Sequence, residues 1–310
     1  MNGLGDGSTP LFPILVYKIK DGVNVQKTDP NYDLYIKSLT CLSKRLFPNF
    51  QFVDTTFNIK GFKLEDPNTH IATMGCRTRV YADFHGESSP VGRGNLSFTT
   101  LNLPMIAKES IENNIDFMEN LKIYTDLVSN QLLKRLEYQK NRKVSSFKLL
   151  YTQGVWKDSE NAKLNDRVGD LLNTGTLSLG YIGLAETLVL LNGKHHGESE
   201  ESQKLGVEIV KFIREEMDKK TEEHKLNFSV IATPAEGYAG KSVRKFKQKY
   251  GVIERVSDQD FFTNSAHIPV YHDISIKDKI RLEAPYHELS NAGHILYVEV
   301  DGEAGRNIEA

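Results

Sequence analysis

Apolar and polar positions alternate along this chain in two rhythms that succeed one another, strand-like runs followed by helix-like stripes. Residues 11–19 form an apolar run that the turn signal Asp21-Gly22 cuts off, so they predict a strand. Asp29-Pro30-Asn31 then opens a helix over 31–46, with Leu34, Leu39, Leu42 and Leu46 close to one face and Pro48 as its stop. A second strand is predicted over 50–59 and a third over 96–101. From Pro104 the apolar residues Ile111, Ile115, Met118, Leu121, Leu132 and Leu136 recur at helical steps and predict one long core helix. The run from Leu177 reads as a short strand whose glycines, Gly180 and Gly183, signal tight backbone contact. A helix ended by Asn192-Gly193 follows it. Residues 200–224 predict an amphipathic helix with Leu205, Ile209, Phe212, Ile213 and Met217 inward, and 228–232 a further strand. Strand and helix in alternation define an α/β class with parallel pairing.

Composition narrows the picture only a little. The chain has 310 residues, 39% hydrophobic and 26% charged, with a formal net charge of −2. That balance fits a globular chain and argues against a dedicated DNA or RNA binder, whose phosphate contacts show as a basic excess. No run reaches the roughly 20 apolar residues of a membrane span. The N-terminus, with Gly3, Asp6 and Gly7, lacks the order of a secretory signal, so the expected location is the cytoplasm. The two cysteines, Cys41 and Cys76, are too few for a disulfide framework or a four-cysteine zinc site. Cys41 falls within the first predicted helix and reads as a small buried hydrophobe.

Three stretches carry candidate chemistry. Lys194-His195-His196-Gly197-Glu198 brings two histidines and a glutamate together, but adjacent histidines project in different directions. With no helical His-x3-His pair and no cysteine nearby, the stretch predicts a polar loop and no metal site. Thr233-Pro234-Ala235-Glu236-Gly237 follows an apolar strand; Thr233 suits an N-cap and Pro234 a first helical position, which leaves N–H groups free at the positive end of a helix dipole. Such an end can bind phosphate; capping alone accounts for the pattern equally well. Thr73-Met74-Gly75-Cys76-Arg77-Thr78-Arg79 places a lone thiol on a glycine-flanked loop, and Gly92-Arg93-Gly94-Asn95-Leu96-Ser97-Phe98-Thr99-Thr100-Leu101-Asn102-Leu103-Pro104 leads from it into a strand. On residues alone, Arg77 and Arg79 would lower the thiol pKa and suit an ordinary nucleophile or an oxidation-prone cysteine.

The Cys76 passage closely resembles the active-site finger loop of the anaerobic (class III, glycyl-radical) ribonucleoside-triphosphate reductases. Further matching pieces follow in order: Tyr181-Ile182-Gly183-Leu184-Ala185-Glu186-Thr187, Thr263-Asn264-Ser265-Ala266-His267-Ile268-Pro269-Val270, Ala284-Pro285-Tyr286-His287 and Asn291-Ala292-Gly293-His294-Ile295-Leu296-Tyr297-Val298-Glu299. The resemblance implies the larger part of a ten-stranded α/β barrel, with a central cysteine finger loop at about 61–95 and a phosphate-binding strand-to-helix turn at about 228–241, all within one partial catalytic domain over 1–310. It implies Cys76 as the thiyl radical, Gly75 as the residue that lets the loop tip approach the ribose, and Asn95 as the polar residue beside the cysteine. Thr233, Pro234, Ala235, Glu236 and Gly237 would hold the substrate phosphates.

The partners implied are a ribonucleoside triphosphate, a radical-SAM activating enzyme and a second copy in a homodimer, with formate as co-substrate. Cys41, helical and apart from Cys76, agrees with formate rather than a thiol as reductant. Family members carry allosteric nucleotide sites in an N-terminal region, and a zinc ribbon and the radical-bearing glycine in a C-terminal one. This sequence shows neither a Cys-x-x-Cys pair nor an Arg-Val-x-Gly-Tyr-like stretch. The expected function is the catalytic core of such a reductase. The alternative is a truncated or split non-catalytic fragment that retains nucleotide binding or an assembly role.

Overall fold

The computed structural model describes residues 7–8, 13–45, 47–71, 73–75 and 77–298. The chain divides into two compact units, one formed by Met1–Cys76 with Tyr297–Ala310 and the other by Arg77–Leu296.

In the first unit β1 (Val16–Ile19) pairs in parallel with β2 (Asn49–Phe52), in the register Val16 to Asn49 through Ile19 to Phe52. The helix α1 (Tyr32–Leu42) connects them. Parallel neighbours need such a crossover because a tight turn cannot join them. Two buried asparagines fix the strand ends: Asn24 Nδ2 donates to the Lys18 carbonyl at 2.8 Å and Asn58 Nδ2 to the Phe52 carbonyl at 2.8 Å. The strand expected over 50–59 stops at Phe52, since Thr55 opens the single helical turn α2 (Thr56–Ile59). Helix α1 also ends four residues before the expected boundary at Leu46, which itself lies outside the described residues. Leu34 and Leu42 are exposed, while Cys41 is a half-buried free thiol. The short strand β3 (Thr73–Met74) closes this stretch of the first unit, and β4 (Thr78–Arg79) is the first strand of the second.

The second unit is built on a three-stranded parallel sheet in the order β5 (Asn95–Asn102), β6 (Thr176–Ile182), β7 (Asn227–Ala232). The long helical stretch expected after Pro104 is two helices, α3 (Leu103–Asn113) and α4 (Phe117–Lys140). Asn114 takes a left-handed conformation at φ 52°, and Asp116 restarts the chain as an N-cap, its carboxylate accepting from the N–H groups of Met118 and Glu119. Because the axis changes there, Ile111 and Ile115 are exposed and the buried stripe runs through Phe117, Leu121, Val128, Leu132 and Leu136. A short helix α5 (Lys148–Thr152) precedes β6. After it α6 (Leu184–Asn192) and α7 (Glu200–His224) lead to β7. Ile209, Ile213 and Met217 of α7 are fully buried with Leu205 and Phe212 packed at their margin, the expected inward face. Helices α8 (Glu236–Tyr250) and α9 (Ile276–Leu289) complete the unit. No helix among the described residues is long and apolar enough to cross a membrane.

Candidate active site

The central strand β6 has the sequence Thr-Leu-Ser-Leu-Gly-Tyr-Ile, and its alternation divides the sheet into two unlike faces. Leu177, Leu179 and Tyr181 point with Phe228 and Val230 of β7 into the core shared with α4, α7 and α9. Thr176, Ser178 and Gly180 point the other way, beside Asn227 and Ser229 of β7. Small polar side chains join across this second face. Asn95 Nδ2 donates to Ser178 Oγ at 2.8 Å, the Ser178 and Ser229 hydroxyls lie 2.9 Å apart, and those of Thr100 and Thr233 are 2.9 Å apart. A Cβ on Gly180 would lie 2.0 Å from Thr233 Oγ1 and 3.0 Å from Thr100 Oγ1, so the glycine makes room for that pair. On this face Asn95 Oδ1 and Thr176 Oγ1, opposite one another in register, are buried with no hydrogen-bond partner among the described residues. An unpaired buried polar atom costs about 1–3 kcal/mol, so two of them side by side on one face suit a ligand or water.

The strand-to-helix turn lies at the C-terminal end of the sheet, where open α/β folds bind their ligands. Its local geometry differs from the expected cap. Helix α8 starts at Glu236 with Ala235 as the N-cap residue, which offers no side-chain bond. Thr233 is not the cap, because its hydroxyl is engaged across the sheet with Thr100, and Pro234 precedes the helix. The Thr233 carbonyl accepts from Ser265 Oγ at 3.2 Å and from Arg77 Nη1 at 3.4 Å. Glu236 and Gly237 are exposed, and nothing lies within 4 Å of where a Gly237 Cβ would stand. The first turn of α8 thus presents N–H groups without a side-chain cap, as the phosphate reading needs. The Glu236 carboxylate in that turn suits the helix dipole but opposes an anion, so an anion held there would rely on main-chain donors.

Cys76 lies outside the described residues. Gly75 before it adopts φ +61°, a left-handed value that glycine takes without strain, in open space. On the far side, the chain is anchored by arginines. Arg77, only 1% exposed, donates from Nη1 to the Ala232 carbonyl at 3.2 Å, beside its contact with Thr233. The Arg79 N–H bonds the Ala292 carbonyl at 2.7 Å and its Nη1 the Asn291 carbonyl at 3.1 Å, while burial lowers its pKa to about 10. Arg93 donates to the carbonyls of Thr174, Tyr81, Ser89 and Ala82 at 2.7–2.9 Å. Asp83, 3.6 Å from Arg93, stays below the usual carboxylate range: burial works against this, but the His85 N–H, the Arg93 charge and bonds from Lys157 and Asn227 prevail. Asn227 also accepts from the Phe84 N–H at 2.7 Å, tying this arm to the polar face.

The histidine loop is structural. His196 Nε2 bonds the Ala266 carbonyl at 3.0 Å and its burial lowers the pKa to about 3; His195, lowered to about 4 by burial, accepts at Nδ1 from the Gly197 N–H. Glu198 turns to Arg255 and to the His195 N–H. Among the described residues no group of three or more histidine, cysteine or acidic side chains could hold a metal ion. Two buried elements were given no role by the sequence. One is the Ser178–Ser229 pair, signalled only by alternation within the strands. The other is Glu186, whose Oε1 accepts from the Thr263 N–H and hydroxyl, both at 2.7 Å, and whose pKa is raised by burial.

The parallel sheet, with an uncapped helix start at its C-terminal rim and polar side chains on one face, defines a protein of the α/β class. The chain belongs to the anaerobic ribonucleoside-triphosphate reductase family, whose model matches residues 1–310. It is 35% identical over 304 residues to the anaerobic ribonucleoside-triphosphate reductase of Escherichia coli strain K12, covering 96% of this chain and 41% of that protein. With the same enzyme of Enterobacteria phage T4 it shares 34% over 309 residues, 97% of this chain and 48% of that one. The chain therefore spans less than half the length of these relatives. In structure it resembles the Thermotoga maritima anaerobic ribonucleotide reductase with citrate in the active site, at a TM-score of 0.68 and 20% identity over 96% of this chain and 48% of that one. The same enzyme in complex with dATP and CTP matches with a TM-score of 0.62, 20% identity and coverage of 96% and 45%.

Proposed function

We propose that this chain is the catalytic core of an anaerobic reductase that converts ribonucleoside triphosphates to deoxyribonucleoside triphosphates. The family match across all 310 residues carries the reading. In this reading residues 1–310 form most of a ten-stranded barrel domain, with the finger loop at about 61–95 in its centre and the phosphate turn at about 228–241. The Thermotoga relative's complex with dATP and CTP supports a nucleotide at such a site.

The chemistry assigned to the chain's own residues is as follows. The main-chain N–H groups at Ala235, Glu236 and Gly237, after Thr233 and Pro234, hold the phosphates. Gly75 lets the loop tip approach the ribose. The Cys76 thiyl takes the C3′ hydrogen, the C2′ hydroxyl leaves as water, and the hydrogen returns to C3′ at the end. Asn95 Oδ1, buried and without a partner among the described residues, suits a ribose hydroxyl donor. A glycyl radical, generated by a radical-SAM activating enzyme, supplies the initial hydrogen-atom abstraction. With formate as reductant the sum is triphosphate plus formate plus one proton giving deoxytriphosphate, carbon dioxide and water. The working enzyme is a cytoplasmic homodimer.

Cys76→Ser tests the assignment in the activated assembly. Formation of deoxynucleotide is abolished while triphosphate binding survives; wild-type turnover by this variant would end the proposal. Binding with no turnover by the unmodified chain in that assembly would favour a non-catalytic nucleotide-binding fragment.

A further inference from the structure

We infer that Ser178 and Ser229 are positioning residues that set the orientation of the Asn95 side-chain amide for the proposed reaction. The inference rests on that reading of Asn95 and extends it to two residues on neighbouring strands.

A side-chain amide has a donor end and an acceptor end of nearly equal shape, so its neighbours decide which end faces which way. Asn95 Nδ2 points at Ser178 Oγ, 2.8 Å away, and Ser178 Oγ is 2.9 Å from Ser229 Oγ. A serine hydroxyl has one proton. When Ser178 gives that proton to Ser229, only its lone pair remains for Asn95, and only the NH2 end of the amide can pair with it. Asn95 Oδ1 is then left as a buried acceptor with no partner in the described chain. A hydroxyl-bearing ligand supplies the donor it lacks. Both serines are buried, and β6 and β7 hold them opposite one another in register. With Ser229 absent, the Ser178 proton becomes available to Asn95 Oδ1 and the amide can turn over, presenting its donor end instead. Ser229 therefore acts on Asn95 without touching it.

The test is a double-substitution cycle in the activated assembly, reading kcat, KM and thermal melting. Ser178→Ala and Ser229→Ala each lower kcat by about tenfold, the worth of one buried hydrogen bond realised in the transition state, with KM held within about twofold. The double variant is no worse than Ser178→Ala, because both act through one amide. Additive losses, or losses in KM and melting with kcat unchanged, would show two packing residues and overturn the inference. Should Ser178→Ala fail to fold, Ser229→Ala carries the test: full kcat in that variant overturns the inference. Asn95→Ala is the control that separates the two levels. Full turnover there removes Asn95 from the site and this inference with it, leaving the Cys76 assignment to its own test. A dead Asn95→Ala beside fully active serine variants overturns the inference alone.

Discussion

The two faces of strand β6 differ in what they ask of their neighbours. Leu177, Leu179 and Tyr181 are at most 1% exposed and lie against helices, so their side of the sheet is held by apolar contact. Thr176, Ser178 and Gly180, one residue out of phase, look onto hydroxyls, an amide and the arm that Arg93 and Asp83 hold. One strand thus supplies stability from alternate residues and keeps the intervening ones small and polar. A one-residue slip of register would exchange the faces and lose both. Stability and chemistry should therefore be separable by substitution at adjacent positions.

The largest effect is expected on the helix side. Leu179→Ala removes a fully buried side chain from the centre of the core and costs about 2–5 kcal/mol in urea unfolding. A loss below about 1 kcal/mol would mean that the sheet is held from its polar side after all.

Acid should separate the two sides. On the helix side, burial holds His196 at about 3, and Tyr286 packs against its ring. An unfolded imidazole titrates near ~6.5, so between these values the unfolded chain binds more protons. The stability from His196 is present above the unfolded pKa and is lost as pH falls from about 6.5 towards the folded value. His195 and His287, both lowered to about 4 by burial, add to the same window. On the loop side Asp83 is depressed below the ordinary carboxylate value, so its contribution persists through this range and is lost only below about pH 4. Melting temperature measured from pH 7 to 4 should fall, by on the order of 5–10 °C, and fall less in His196→Gln. An unchanged slope in that variant would move the acid sensitivity elsewhere.

How much of this was legible in the sequence depended on whether a residue's partner was near in the chain. The three strands of the main sheet and the inward face of α7 were readable because apolar runs and helical stripes are local signals. The break between α3 and α4 was written in Asn114 and Asp116, but a continuing three- and four-residue spacing of apolar residues concealed it. The same happened at Thr55, where a strand pattern ran on into a helical turn. Thr233 was misread for a different reason. Its sequence context is that of a cap, and only the sheet shows that its hydroxyl meets Thr100, 133 positions away in the chain. The Ser178–Ser229 pair was hidden in the same way, whereas Gly180 did announce the close approach it permits. For Cys76, Gly75 and the 233–237 turn the residue pattern marked candidates, and only the resemblance supplied their expected roles, which periodicity does not encode.

Gly180→Ala probes the polar face more gently than Leu179→Ala probes the core. The added methyl meets Thr233 Oγ1 at 2.0 Å and must displace it, an overpacking worth about 1–3 kcal/mol. Thr233→Ala in the same chain removes the obstructing oxygen and should restore most of the lost stability. If the double variant is as unstable as Gly180→Ala alone, the glycine serves some purpose other than room for that hydroxyl.

Gly237→Asp should have the smallest effect and the most selective one. The position is exposed, with no atom within 4 Å of the new Cβ, so the fold has nothing to resist. A carboxylate in the first turn of α8 even favours the helix by about 0.3–1 kcal/mol. For a triphosphate held by the same N–H groups, that charge is repulsive, and affinity should fall by about two- to fivefold. Melting temperature held or raised together with weaker binding in calorimetry is an outcome that damage to the fold cannot produce. Unchanged affinity would place the phosphates away from this helix end, and the open first turn of α8 would then need only water.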